Sequence, residues 1–207
     1  MRSYHQYCAV ARALDVVGDR WSLLIVRELL IRPCRYTDLR DGLPGIATNL
    51  LAERLRELEA AGVVRRDEAA PPVATTLYRL TERGEQLRPV IEQLLQWGAP
   101  LMFEPAGDDQ WRSRWLLLAI ETMLAPHVPG RPDVVIQIDG LDEPVVIESR
   151  DGRIEARTGT APDPDTVMNG PADAVLGMVM GFVQPDSPEA RTVTVRGSRQ
   201  ALARLRG

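Results

Sequence analysis

The sequence predicts two domains of different class: a mainly α N-terminal domain built on a helix-turn-helix with a β wing, and an α+β C-terminal domain with an antiparallel-rich sheet. Three observations carry this. Residues 45–64, GIATNLLAERLRELEAAGVV, place Leu51, Leu55 and Leu58 at helical spacing, with Pro44 and Gly45 before them and Gly62 after, so one amphipathic helix is marked at both ends. The run at 63–66 and TLYRL at 76–80 read as two short strands around a turn-rich tip, DEAAPPVA at 67–74. Beyond residue 130 the texture changes to short apolar runs punctuated by Asp139-Gly140 and Asp151-Gly152, dipeptides that favour hairpin turns.

In chain order, residues 5–17 form a first helix with Val10, Ala13, Leu14 and Val17 on one side, ended by Gly18. Asp19 is placed to cap a second helix over 20–30, which buries Trp21, Leu24, Ile25 and Leu29 and closes at Pro33. Arg35 stands just before YTDLR, a short amphipathic turn at 36–40 that is joined through 41–45 to the long helix. Two helices on a short glycine-containing turn are a helix-turn-helix, and the strand, loop and strand after them are a wing. Any amphipathic helix shows a leucine seam; it is the sum of seam, turn and wing that points to DNA. Thr48, Asn49, Ala52, Glu53 and Arg56 fall off that seam, with Ile46 at its entry and Val63 and Val64 after its exit. Thr81 caps a further helix over 82–97, whose Leu87, Val90, Ile91, Leu94, Leu95 and Trp97 exceed what one face of a small domain covers, and such a surplus implies a partner.

EPAGDD at 104–109 reads as a linker between a domain at 1–103 and one at 110–207. Residues 110–125 form a strongly apolar helix with Trp115, Leu116, Leu117, Leu118, Ile120 and Met123, stopped by Pro126. Strands follow at 134–138, 143–148, 153–157 and 166–168, then a helix at 171–180 with proline in its first turn, a strand at 192–196 and a closing helix at 198–205 capped by Ser198. A hairpin sheet backed by helices is an α+β layer.

WSLLIVRELL, RYTDLR, LPGIATNLLAERLRELEAAGVV and YRLTERGEQLRPVIEQLLQWG together resemble the HxlR-type winged helix-turn-helix regulators of bacteria, related to the MarR group, from about Cys8 to Gly98. The chain departs from that pattern at Ala47, where the family usually opens the recognition helix with Ser or Thr, and at Ala9, where proline is usual. The resemblance implies a homodimer formed by the first and last helices of the domain, and a Cys8 that is either an oxidant or electrophile sensor or a small packed side chain near the dimer interface. More faintly, the helix before the sheet, NGPADAVLGMVMG and the ending VTVRGSRQALARL resemble the sterol carrier protein 2-like (SCP2-like) domain. That likeness implies an apolar tunnel, with Leu176, Val179, Met180 and Phe182 over the strand residues Val135 and Val146, although a methionine-rich helix also serves as adaptable core.

Composition narrows the classes. Net charge is −4 and every basic residue is arginine, so indiscriminate nucleic-acid binding is disfavoured while a local basic face is not. No run approaches the ~20 apolar residues of a membrane span and the N-terminus lacks a signal-peptide pattern, so a cytoplasmic protein is expected. Cys8 and Cys34 read as reduced thiols, and His5 and His127 supply no metal cluster; no cofactor is expected, and an enzyme is the least favoured class because no nucleophile and base pair is evident.

The expected function is a DNA-binding transcriptional regulator, a homodimer on an imperfect palindrome of double-stranded DNA, whose C-terminal domain binds a small apolar effector or braces the dimer. The alternative is a lipid or small-molecule carrier that uses the winged unit only to dimerise. Candidate DNA contacts are Arg35 at phosphate, Thr48, Asn49 and Ala52 on the recognition helix, Arg54 and Arg56 at phosphate or a carboxylate on their own helix, and Arg66 and Arg79 on the wing. The tip itself carries prolines and no arginine, against strong minor-groove insertion.

Overall fold

The computed structural model describes residues 3–68, 76–103, 110–124, 128–198 and 200–206, and divides into two compact units, Met1–Trp97 and Gly98–Gly207. The division falls ahead of the linker expected at 104–109. That segment, the wing tip at 69–75 and the stop at Pro126 lie outside the described residues.

The first unit is helical with one hairpin. Helix α1 (Ala9–Val17) starts later than the pattern predicts: residues 3–8 are irregular, with His5 at φ 53, and tie back to its far end, where Tyr4 N donates to Asp15 Oδ1 at 2.9 Å. Of its expected apolar side only Val17 is buried, joined by Ala11, while Val10 and Leu14 face solvent. At the start of helix α2 (Ser22–Ile31) the N-cap position is held not by Asp19 but by Trp21, which makes no side-chain cap bond; it is a left-handed non-glycine residue at φ 83 with the Arg20 guanidinium 5.4 Å over its ring. Trp21 is only half-buried and Leu24 is exposed, whereas Ile25, Val26, Leu29 and Leu30 fill the core; the helix is apolar almost all round, so its pattern does not say which flank turns inward.

Helix α3 (Tyr36–Gly42) and helix α4 (Thr48–Ala60) form the helix-turn-helix. Leu51, Leu55 and Leu58 are fully buried as the seam required, and Ile46, Val63 and Val64 close its ends. After α4, Gly62 sits at φ +69; its N–H reaches Glu59 O at 3.0 Å and that of Val63 reaches Leu58 O at 2.9 Å, the paired bonds of a Schellman cap. Strands β1 (Val64–Glu68) and β2 (Thr76–Leu80) pair antiparallel as the wing, with Val64 opposite Leu80 and Arg65 opposite Arg79. The wing is anchored at its base, since Cys34 and Tyr78 exchange both backbone hydrogen bonds.

The last helix of the unit is broken in two. Thr81 caps the short α5 (Glu82–Glu85), its Oγ1 accepting from Gly84 N at 3.1 Å, and α6 (Arg88–Gly98) begins anew around Pro89, which has no N–H to continue the ladder.

The second unit is an α+β layer. Helix α7 (Trp115–Met123) precedes β3 (Val134–Asp139), β4 (Val145–Arg150), β5 (Arg153–Thr158) and β6 (Thr166–Asn169); then come α8 (Ala172–Met180), a 3-10 turn at Glu189–Thr192, β7 (Thr194–Gly197) and α9 (Ala201–Arg206). The sheet order is β5-β4-β3-β6-β7, antiparallel except for the parallel β3-β6 pair. Asp151-Gly152 makes a two-residue hairpin with both residues at positive φ, 49 and 77. Asp139-Gly140 does not: a loop follows, in which Asp142 Oδ1 accepts from Ser113 N at 2.7 Å and Glu143 N donates to Ser113 Oγ at 3.1 Å, so β4 starts only at Val145. The closing helix starts at Ala201, whose N–H donates to the Ser198 carbonyl rather than to its side chain.

Side-chain alternation places Ile136, Ile147 and Ala156 on one face, and Val135, Gln137, Val146 and Arg157 on the other. Helix α7 packs on β5, whose residues on the first face are covered while Arg153, Glu155 and Arg157 lie exposed on the second. Val135 and Val146 therefore sit on the face turned away from α7. Val146 and Val179 have no accessible surface at all, so neither borders a space large enough for one water molecule, and the lining expected from the resemblance is closed at both.

Candidate nucleic-acid interface

The geometry of α4 follows from its seam. With Leu51, Leu55 and Leu58 pointing inward, Asn49, Glu53 and Arg56 take the opposite side and are exposed; Thr48 and Ala52 lie on one flank, Leu50, Arg54 and Glu57 on the other. Asn49 is in the first turn. Arg56 is extended along the helix by a bond from Nε to Ala52 O at 3.2 Å, leaving its guanidinium at the surface.

Ala47 holds the N-cap position and offers no side-chain acceptor. The start of α4 is fixed from outside instead. Tyr36, in the first turn of α3, donates its hydroxyl to Thr48 O at 2.7 Å, so the two helices are linked where the recognition surface begins. Arg35 is exposed at the N-cap of α3, and its N–H donates to Asp38 Oδ2 at 2.9 Å.

The expected basic contacts do not form one set. Arg54 is only 14% exposed and is gripped by Asp19 at 2.9 Å and by Glu57, its neighbour one turn on, so its charge is spent inside the protein. Arg66 pairs with Glu59 at 3.1 Å and lies 5.5 Å over the Tyr78 ring. Arg79 pairs with Asp67 at 3.0 Å, and Arg65, which sequence reasoning passed over, pairs with the other oxygen of the same carboxylate at 2.8 Å. Glu53 was also passed over as a contact, although helical spacing from Leu51 and Leu55 places it as far outward as Asn49. Arg65 had no such signal, because only the strand register sets it across from Arg79.

Charge is divided between the units. Residues 1–97 carry fourteen arginines and thirteen acidic residues, and residues 98–207 eleven and sixteen, so the first unit is +1 and the second −5.

Cys8 is exposed at the N-cap of α1, where the backbone N–H groups of Ala11 and Val10 hold its thiol below the ordinary range. Cys34 is buried, with its sulfur 3.3 Å from Arg32 O. Among the described residues no group of histidine, cysteine and carboxylate side chains is arranged to hold a metal ion, and no helix is long and apolar enough to cross a membrane.

On the second unit, Leu176 and Met180 are half-buried and Phe182 is exposed, so these three of the expected ligand contacts keep accessible surface.

Comparison with known proteins addresses the first unit. The model of the family described as HxlR-like helix-turn-helix matches residues 16–104. YvaP of Bacillus subtilis, an uncharacterised HTH-type transcriptional regulator, is 36% identical over 86 residues, which span 42% of this chain and 80% of that protein. The HTH-type transcriptional regulator YodB of the same organism is 34% identical over 85 residues, 41% of this chain and 76% of its own. Among solved structures, the redox regulator HypR in its oxidised form aligns at 33% identity over 45% of this chain and 96% of that one, with a TM-score of 0.43. Residues 105–207 lie outside the family match.

Proposed function

The chain belongs to the HxlR-like helix-turn-helix family, and from that premise we propose that it is a sequence-specific DNA-binding transcriptional regulator, a homodimer on a two-fold operator. The observation that carries the reading is the outward side of α4, where Asn49, Glu53 and Arg56 stand exposed over a fully buried leucine seam. A helix of this kind enters the major groove with its N-terminal residues against base edges. Asn49 suits adenine, to which an amide pairs bidentately, and Glu53 suits the amino group of cytosine. Thr48 and Ala52 flank that contact. Arg35 and Arg56 serve phosphates, while Arg54 holds α4 to the α1-α2 corner through Asp19.

Two protomers would place their α4 helices in successive major grooves about 34 Å apart. Support for the dimer comes from apolar side chains that α1 and α6 leave in solvent. Cys8 is proposed as a trigger, supported by its exposure and lowered thiol pKa. For the second unit we propose effector binding of the SCP2-like kind, supported by its α+β layer and by the accessible apolar surface of Leu176, Met180 and Phe182.

The test is a fluorescence anisotropy titration of the protein with its own promoter duplex and with a random duplex, across roughly 50 to 200 mM salt. A log-log slope of several units is expected, since each phosphate neutralised releases counterions. Asn49→Ala should cost about 1 to 3 kcal/mol on the promoter and nearly nothing on the random duplex. A flat salt response on both duplexes would leave the winged unit as a dimerisation module.

A further inference from the structure

We propose that Asp67 sets the strength of DNA binding by occupying, in the free protein, a phosphate-binding pair of arginines on the solvent face of the wing; this rests on the DNA-binding reading above. Val64, Arg66 and Glu68 alternate toward the face that Tyr78 and Leu80 bury against the unit, so Arg65 and Asp67 share the opposite, outer face. Arg65 and Arg79 are direct partners across the hairpin. Two like charges at that spacing repel unless an anion lies between them. Asp67 is that anion: one carboxylate oxygen accepts a hydrogen bond from Arg65 Nη1 at 2.8 Å, and the other lies 3.0 Å from Arg79 Nε as an ion pair without hydrogen-bond alignment.

The three side chains are partly exposed, 57% and 41% for the arginines and 31% for the aspartate, and exposed ion pairs of this kind are weak. A duplex, with its dense row of phosphates, can take the place of one carboxylate. The exchange carries a penalty on every duplex alike, because the carboxylate must be displaced, or approached by phosphate, whatever the base sequence. Arg66 is outside this device, being held on the other face by Glu59 and Tyr78.

The experiment compares the whole protein carrying Asp67→Asn with Glu68→Gln, which removes the same charge from the next residue on the other face. Both are titrated against promoter and random duplexes over a salt series, with thermal melts as a folding control. Asp67→Asn is expected to tighten binding to promoter and random duplexes alike, several-fold, and to steepen the salt slope by about one unit. Glu68→Gln should do none of these, and in an Arg65→Ala, Arg79→Ala background Asp67→Asn should have no effect. Equal responses to Asp67→Asn and Glu68→Gln, or a response that survives loss of both arginines, would overturn the proposal while leaving DNA binding standing. Absence of wild-type binding to either duplex at low salt would overturn both.

Discussion

At the scale of single residues, the arginines of the first unit divide by what they already touch. Arg35 is exposed before α3, so Arg35→Ala should weaken binding to every duplex alike and lower the salt slope by about one unit. Arg54 predicts the opposite pattern. Its guanidinium is engaged by Asp19 and Glu57, and Arg54→Ala removes the partner of two carboxylates at the corner of α1, α2 and α4. The expected outcome is a lower melting temperature with an unchanged salt slope; a drop in slope would return Arg54 to the DNA contacts. The sequence allowed either fate, since a carboxylate stands within one turn, and only the fold brings Asp19 to the same guanidinium from thirty-five positions away.

Helix ends are where element-scale predictions are sharpest. Ala47 leaves the first N–H groups of α4 without a side-chain acceptor, so Ala47→Ser should stabilise the first unit by about 1 kcal/mol, read as a shift in denaturant midpoint at constant m-value. Gly62→Ala should act in reverse, costing about 1 kcal/mol, because the site is open but its φ of +69 is unfavourable to any side chain. No gain at Ala47 would mean that solvent already satisfies these N–H groups, which the Tyr36 hydroxyl, bonded to a carbonyl, does not reach. Both ends of α4 were legible because proline, glycine and a leucine period mark them locally. The break between α5 and α6 is explained by Pro89 yet hidden in a continuous apolar pattern. The corner at Trp21 is not legible, since a left-handed backbone is unusual for a bulky residue and nothing in its local sequence marks it. In the second unit Asp151-Gly152 fixed its own turn. Asp139-Gly140 lost its tight hairpin to a loop that Ser113 ties down from another element.

For the whole molecule, the question is what covers the apolar stripes that the first unit leaves outside. Helix α6 carries two: Ile91 and Leu95, with Leu87 just ahead of the helix, turn inward, while Val90, Leu94 and Trp97 at i, i+4 and i+7 turn out, with Trp97 75% exposed. Val10 and Leu14 form a matching exposed pair on α1. A second copy is the occupant proposed here, and a dimer held by these stripes has two measurable properties. Its melting temperature must rise with protein concentration, because unfolding releases two chains from one particle. Placing a charge within the stripe must also convert dimer to monomer without unfolding it, since Leu94 packs on nothing inside its own unit that buries it. Leu94→Asp should therefore sediment as a monomer with an unchanged circular dichroism spectrum. It should also lose promoter affinity far more than random-duplex affinity, because specificity depends on two α4 helices held at a fixed spacing. A Leu94→Asp protein that stayed dimeric, with promoter binding intact, would move the interface off α6 and leave its outer stripe without an assigned partner.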